Sequence, residues 1–388
     1  MMAQKSKILF VVTSATNMGD LALCQEWIEE LGRDNYIFGY VLAPDLEKFI
    51  EHQDERFLFS KKVNIKSSLL NAVQLFNADA LIFATNAFWN LPDYQGVTFG
   101  EFLLEENDID IPVFSFDPFE IGFTHIMPQN GAKIEFSEVP SWVYALRYMS
   151  RIPKTENARH FKTNQVYSNR QLKNKNIIRK YGGDPSKKSI IFPISTDRYT
   201  FIKNHYPDYY SYLASLFDEL GDDVQLFSVL PEKVLAFEPN KNIIQLLHVP
   251  FSDFQDLVQS SAIYLTDSYV SCIVTSFHLE TPALLLFNSN SQVELNSFLG
   301  PQPFKYKVFP YGMFDICNEL ETLFEVKDCF AKCEIFDRKG FIKYTTQLLT
   351  ESDERQRLKE ASKKWKEERK ALKSPQEILS EILEYAKP

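Results

Sequence analysis

Short apolar runs recur along this chain, each followed by a stretch in which apolar residues return every three or four positions. KILFVVT (7–13) leads into a helical pattern near Asp20 to Leu31, with Leu21, Cys24, Ile28 and Leu31 on one face. YIFGYVL (36–42), a helix near Ile65 to Phe76, ALIFAT (80–85) and IPVFSFD (111–117) follow. Continuous apolar strands alternating with amphipathic helices predict a parallel sheet covered on both faces. The pattern restarts at SIIFPI (189–194) and continues with a helix over Pro207 to Leu220, in which Tyr210, Leu213, Phe217 and Leu220 share a face. VQLFSVL (224–230), NIIQLLHV (242–249), a helix in SDFQDLVQS opened by a capping box of Ser252 and Gln255, AIYLTDS (262–268), a helix from about Val270 to Leu279, and PALLLFN (282–288) complete it.

The predicted organisation is therefore α/β, with two Rossmann-like domains. Residues 1–152 form the first and 188–350 the second, with a linker over 153–187 and a C-terminal helical segment over 351–388. The linker stretch is rich in Lys and Arg, with Glu156 and Asp184 its only acids, and reads as a solvated boundary or an anion-attracting surface. In the last segment Ser374 is placed to cap a helix, with Pro375 at its first position and Glu377 completing a capping box.

Composition narrows the function. With 45% hydrophobic and 24% charged residues and no sufficiently long apolar run, no transmembrane segment is expected. The short apolar run after the amino terminus lacks the form of a secretory signal, and five scattered cysteines suit a reducing compartment, so a cytoplasmic location is expected. A net charge of −10 opposes nucleic acid as a partner. Cys329 and Cys333 form a lone C-x3-C without a matching pair, so no metal site is expected. No P-loop, G-x-G-x-x-G, G-x-S-x-G or H-E-x-x-H occurs, which argues against kinase, dinucleotide oxidoreductase, serine hydrolase and zinc protease chemistry.

Open parallel sheets bind ligands beyond the carboxyl ends of their strands. In the first half that places Thr16, Asn17 and Asp20 after the first strand, and Asp117, Glu120 and His125 after IPVFSF. An acid where a helix begins stabilises the exposed amides there, or serves as a general base at the floor of a cleft; both readings fit Asp20. In the second half, Ser195, Thr196 and Arg198 follow the first strand and offer hydroxyl and guanidinium donors to phosphate oxygens, or form a plain turn with an exposed Arg.

Gly19-Asp20 at the start of the first helix resembles the two-domain GT-B glycosyltransferases, and is similar to the Gly-Asp of heptosyltransferases and protein-arginine rhamnosyltransferases. The stretch from His248 to Phe287 resembles the donor-nucleotide segment of the same fold. The resemblance implies two domains facing across a cleft, an inverting transfer with Asp20 as general base, and a nucleotide-sugar as co-substrate with no further cofactor. It implies donor contacts from His248, Val249, Phe251, Ser268, Ser271, Cys272 and Thr275, joined by Ser195, Thr196 and Arg198. The acceptor, a small molecule, glycan or peptide, would meet Thr16, Asn17, Asp117, Glu120 and His125. Tyr269 stands where the family has Gly, and Thr275 where a Glu holds the ribose, a role that a hydroxyl or Glu280 could take. Three alternatives share the pattern: a non-hydrolysing nucleotide-sugar epimerase, with its similar TDS turn; a polysaccharide pyruvyltransferase, whose N-x-G-D matches Asn17 to Asp20; and a catalytically inactive GT-B-like binding protein.

Overall fold

The computed structural model describes residues 5–12, 18–50, 52–59, 65–84, 93–94, 97–98, 104–116, 121–123, 134–136, 140–147, 159–162, 172–194, 196–205, 208–267, 279–287, 292–295, 304–307 and 328–385. The chain forms two compact units: residues 1–124, 134–167 and 368–388 make the first, and residues 125–133 and 168–367 the second.

In the first unit the elements run β1 (Ser6–Val12), α1 (Met18–Leu31), β2 (Tyr36–Leu42), β3 (Glu55–Leu58), α2 (Ile65–Phe76), β4 (Ala80–Phe83), β5 (Val113–Phe116), β6 (Tyr144–Arg147) and β7 (Arg159–Lys162). Their sheet has the order β7-β6-β5-β4-β1-β2-β3, with every pairing parallel. From Ile8 to Val12 every residue of β1 is buried, as is every residue of β4, because helices cover both faces of a parallel sheet. The polar stretch expected to be a solvated linker thus contains an edge strand, β7, which needs only one partner and carries little apolar signal.

The expected face of α1 is buried, and so are Leu23, Glu26 and Trp27 beyond it. Trp27 meets Phe116 edge-to-face with ring centroids 4.8 Å apart. The C-terminal helix α9 (Pro375–Tyr385), part of the same unit, packs against α1. Its capping box forms as the sequence predicts: the Ser374 amide donates to Glu377 Oε2 at 2.7 Å and the Glu377 amide to Ser374 Oγ at 3.2 Å. At the other end of α1, Gly32 takes φ +77 and its amide donates to the Ile28 carbonyl, the left-handed stop that favours glycine.

The second unit runs α3 (Ile177–Lys180), β8 (Lys188–Pro193), α4 (Thr196–His205), α5 (Tyr209–Phe217), β9 (Val224–Val229), β10 (Ile243–Leu246), α6 (Phe251–Ser260), β11 (Ile263–Thr266), β12 (Ala283–Phe287), β13 (Phe330–Glu334), α7 (Arg338–Leu349) and α8 (Asp353–Lys370). Its parallel sheet has the order β10-β9-β8-β11-β12-β13. One face, with Ile190, Phe192, Leu226, Leu265 and Leu286, packs against Leu213 and Leu216 of α5 and Phe341 and Leu348 of α7. Among the described residues, three two-stranded antiparallel ribbons pair 93–94 with 97–98, 121–123 with 134–136 and 292–295 with 304–307, separate from the two sheets.

Two sequence expectations need correction. Ser252 and Gln255 do not form a capping box, because α6 begins two residues earlier than that box requires, with Pro250 at the N-cap and no side chain capping it; Gln255 is instead fully buried. The helix expected from Asp20 starts at Met18, so Asp20 lies inside the first turn.

Candidate functional site at the carboxyl ends of the two sheets

Each sheet carries the order 3-2-1-4-5-6 when its strands are counted from its own first, and the first sheet adds a seventh at the edge. In that arrangement the connections leaving strands 1 and 4 run to opposite sides, which opens a place for ligands beyond their carboxyl ends. The switch points here lie beyond β1 and β4 in the first unit, and beyond β8 and β11 in the second.

Asp20 is the described residue of chemical interest at the first switch point. It is half-buried in the first turn of α1, where a carboxylate interacts favourably with the positive helix end. One turn on, burial holds the fully buried Cys24 thiol well above its ordinary value, with the charges of Asp20 and Glu26 adding to the effect. Cys24 therefore stays a neutral thiol beside the carboxylate and supplies no nucleophile. Thr16, Asn17, Asp117, Glu120 and His125 lie outside the described residues.

At the second switch point β8 ends in Pro193 and the buried Ile194, and α4 opens directly afterwards. Ser195 lies outside the described residues, and Thr196 and Arg198 sit in the first turn of α4 with side chains outside the description. Beyond β11 comes Asp267, whose exposure is 0% and whose Oδ2 accepts the hydroxyl of Tyr209 at 2.6 Å. Tyr209, also at 0%, is the first residue of α5. This bond ties the chain that follows β8 to the turn that follows β11, so it braces the switch point from within. The TDS turn was visible in the sequence, but nothing local marked Tyr209 as its partner.

Beyond β10, His248 is exposed while Val249 and Phe251 are buried, so this loop presents a polar tip on an apolar base. Ser268, Tyr269, Ser271, Cys272 and Thr275 lie outside the described residues. Glu280, considered above for the ribose, is held elsewhere: its φ is +57 and its Oε1 lies 3.0 Å from Lys366 Nζ of α8. Next to it the Thr281 hydroxyl donates to the Val258 carbonyl at 2.9 Å, fixing the chain that enters β12. Among the described residues, no three His, Cys, Asp or Glu side chains are grouped to hold a metal ion, and no helix is long and apolar enough to cross a membrane.

A family model described as a family of unknown function, DUF6365, matches residues 195–387. No curated protein sequence matches the chain. Among solved structures it is similar to the glycosyltransferase SnogD from Streptomyces nogalater, at 12% identity over 99% of this chain and 100% of that one, with a TM-score of 0.57. It is similar to the glycosyltransferase VinC in complex with DTDP, at 11% identity over 98% and 99% of the two chains, with a TM-score of 0.57. It is also similar to UDP-GlcNAc 2-epimerase from Neisseria meningitidis bound to UDP-GlcNAc, at 14% identity over 98% and 100%, with a TM-score of 0.57. These likenesses show the fold: the chain has the two-domain α/β architecture of the GT-B glycosyltransferases.

Proposed function

We propose that the chain transfers a sugar from a nucleotide-sugar donor to an acceptor hydroxyl or amine, with inversion at the anomeric carbon. The observation that carries this reading is the position of Asp20, a carboxylate in the first turn of the helix following β1, at the switch point of the first of two Rossmann sheets. In the reaction the acceptor proton passes to Asp20, the acceptor oxygen or nitrogen bonds to the anomeric carbon, and the bond from that carbon to the diphosphate breaks. The departing diphosphate carries the negative charge, which the amides at the start of α4 and the Arg198 guanidinium are suited to balance. His248, Val249 and Phe251 supply a polar tip and an apolar base for the nucleoside. No cofactor beyond the nucleotide-sugar is required, and the acceptor is a small molecule, glycan or peptide.

Asp20→Asn tests the assignment. Because Asp20 is not the N-cap, the amide leaves the helix start intact while losing proton affinity. Turnover, read as nucleoside diphosphate released from a panel of nucleotide-sugars and acceptors, should fall by about 100-fold or more. Calorimetric nucleotide affinity should stay as in the wild type, and the melting curve should shift only slightly, by the helix-end interaction of about 0.3–1 kcal/mol that the charge supplied. Normal turnover by the variant, or a wild-type protein that binds no nucleotide, would defeat the reading. A second reading is nucleotide-sugar epimerisation, favoured by the likeness to the Neisseria epimerase. It predicts an altered nucleotide-sugar, seen by NMR, in the absence of any acceptor.

A further inference from the structure

Residues 173–181, just inside the second unit, are bound to the outer face of α6 by two buried carboxylates. Asp256, 2% exposed, accepts the backbone amide of Lys173 on Oδ1 at 3.1 Å and that of Asn174 on Oδ2 at 2.9 Å. One turn nearer the helix start, Asp253 accepts the Tyr181 hydroxyl at 2.6 Å and pairs with the Lys180 ammonium. The two acids are three residues apart and so share one helix face. The segment is firm in itself: the Asn176 amide donates to Asn174 Oδ1 at 2.9 Å, and Ile177 and Ile178 are buried. On its other side α6 packs on β8, with Leu257 and Val258 fully buried. The helix is therefore held between the sheet and this segment, and its first residue, Phe251, ends the loop that begins at His248. In the basic stretch, which reads in sequence as a solvated boundary or an anion-attracting surface, Lys180 pairs with Asp253 and two backbone amides bind Asp256.

The geometry points to Asp253 and Asp256 as positioning residues for the nucleotide end of the second unit. By fixing α6 against residues 173–181 they set where the loop from His248 to Phe251 lies, so occupancy of that loop and anchoring of the segment are linked. This rests on the nucleotide-binding reading of the same loop. A charge buried with two amide donors keeps its place only while both remain, and loss of either carboxylate frees the helix to shift. Linkage is reciprocal, so a ligand that selects one placement of α6 must also strengthen the anchor.

Hydrogen–deuterium exchange on the full chain, with and without millimolar uridine or thymidine diphosphate, reads this directly. Bound nucleotide should slow exchange of the Lys173 and Asn174 amides. Calorimetry of Asp256→Asn should show a nucleotide dissociation constant raised about fivefold or more. Tyr181→Phe, which deletes one hydroxyl and threatens folding least, should move it in the same direction. Asp184→Asn should leave it unchanged, because Asp184 bonds to Ser186 rather than to α6. If the wild type binds nucleotide but the two amides exchange as before and both variants bind normally, the inference is overturned while the proposed function stands. If the wild type binds no nucleotide, both are overturned.

Discussion

Tyr209→Phe removes one hydroxyl from the interior of the second unit and changes little else. The hydroxyl donates to Asp267 at 2.6 Å, and both residues are fully buried. A hydrogen bond to a charged group contributes about 1.5–3 kcal/mol, and a buried acceptor left short of its donor stays near that range. For a unit of roughly 200 residues each kcal/mol moves the midpoint by about 2–4 °C, so calorimetry should show the second unit melting about 3–12 °C lower. A double-mutant cycle isolates the bond. In an Asp267→Asn background the acceptor is neutral, the same Tyr209→Phe change should cost only about 0.5–1.5 kcal/mol, and the coupling should be on the order of 1 kcal/mol. A Tyr209→Phe protein within about 0.5 kcal/mol of the wild type, or strict additivity in the cycle, would refute the claim that this bond braces the switch point.

Gly183→Ala would place a Cβ 2.6 Å from Phe227 Cζ and 3.0 Å from Ile178 Cγ2. Urea titration should show a loss of about 1–3 kcal/mol, and a neutral result would mean that the contact relaxes freely. Burial, followed by the charges of Asp337 and Glu334, pushes the Cys333 thiol up to about 12, and Cys24 is also raised. Native protein treated with iodoacetamide at about pH 8 should therefore leave both cysteines unlabelled in peptide maps, with labelling only after denaturation. The Ser374 amide, then its hydroxyl, hold the Glu377 carboxyl below its ordinary value of 4.5. A depressed folded value means that the capping box contributes fully above the unfolded value and is lost as pH falls through the folded one. Below about pH 4.5 the tail helix should begin to loosen, and in Ser374→Ala the Glu377 titration followed by NMR should move only part of the way back towards its ordinary value, because the amide of residue 374 is kept while the hydroxyl is lost.

Much of the architecture could be read locally. YIFGYVL and the helix from Ile65 to Phe76 lie where the pattern places them, because a strand buried on both faces must be apolar throughout and a half-buried helix must repeat its apolar face. The box at Ser374 was legible for the same reason, its donors and acceptors lying within one turn. At Pro250 to Gln255 a similar local pattern failed. Phe251 is buried and becomes the first helical residue, which puts Ser252 inside the turn where its hydroxyl cannot cap. The edge strand Arg159–Lys162 was hidden by its polarity, since one neighbouring strand suffices to pair it.

For the candidate site, the sequence by itself determined that a carboxylate would stand near the start of the helix after β1, and that polar loops would follow the strands of each half. Only the tertiary structure decided what those loops rest on. Tyr209 reaches Asp267 across 58 residues, and Asp256 reaches the Lys173 amide across 83. It is likewise the tertiary structure that brings the last helix back against α1. Helices, strands and caps form from neighbours along the chain, so periodicity and spacing record them. A buried polar side chain must instead find its partner wherever the topology delivers one, and an aspartate in a helix reads the same in sequence whether it faces water or holds a distant backbone amide.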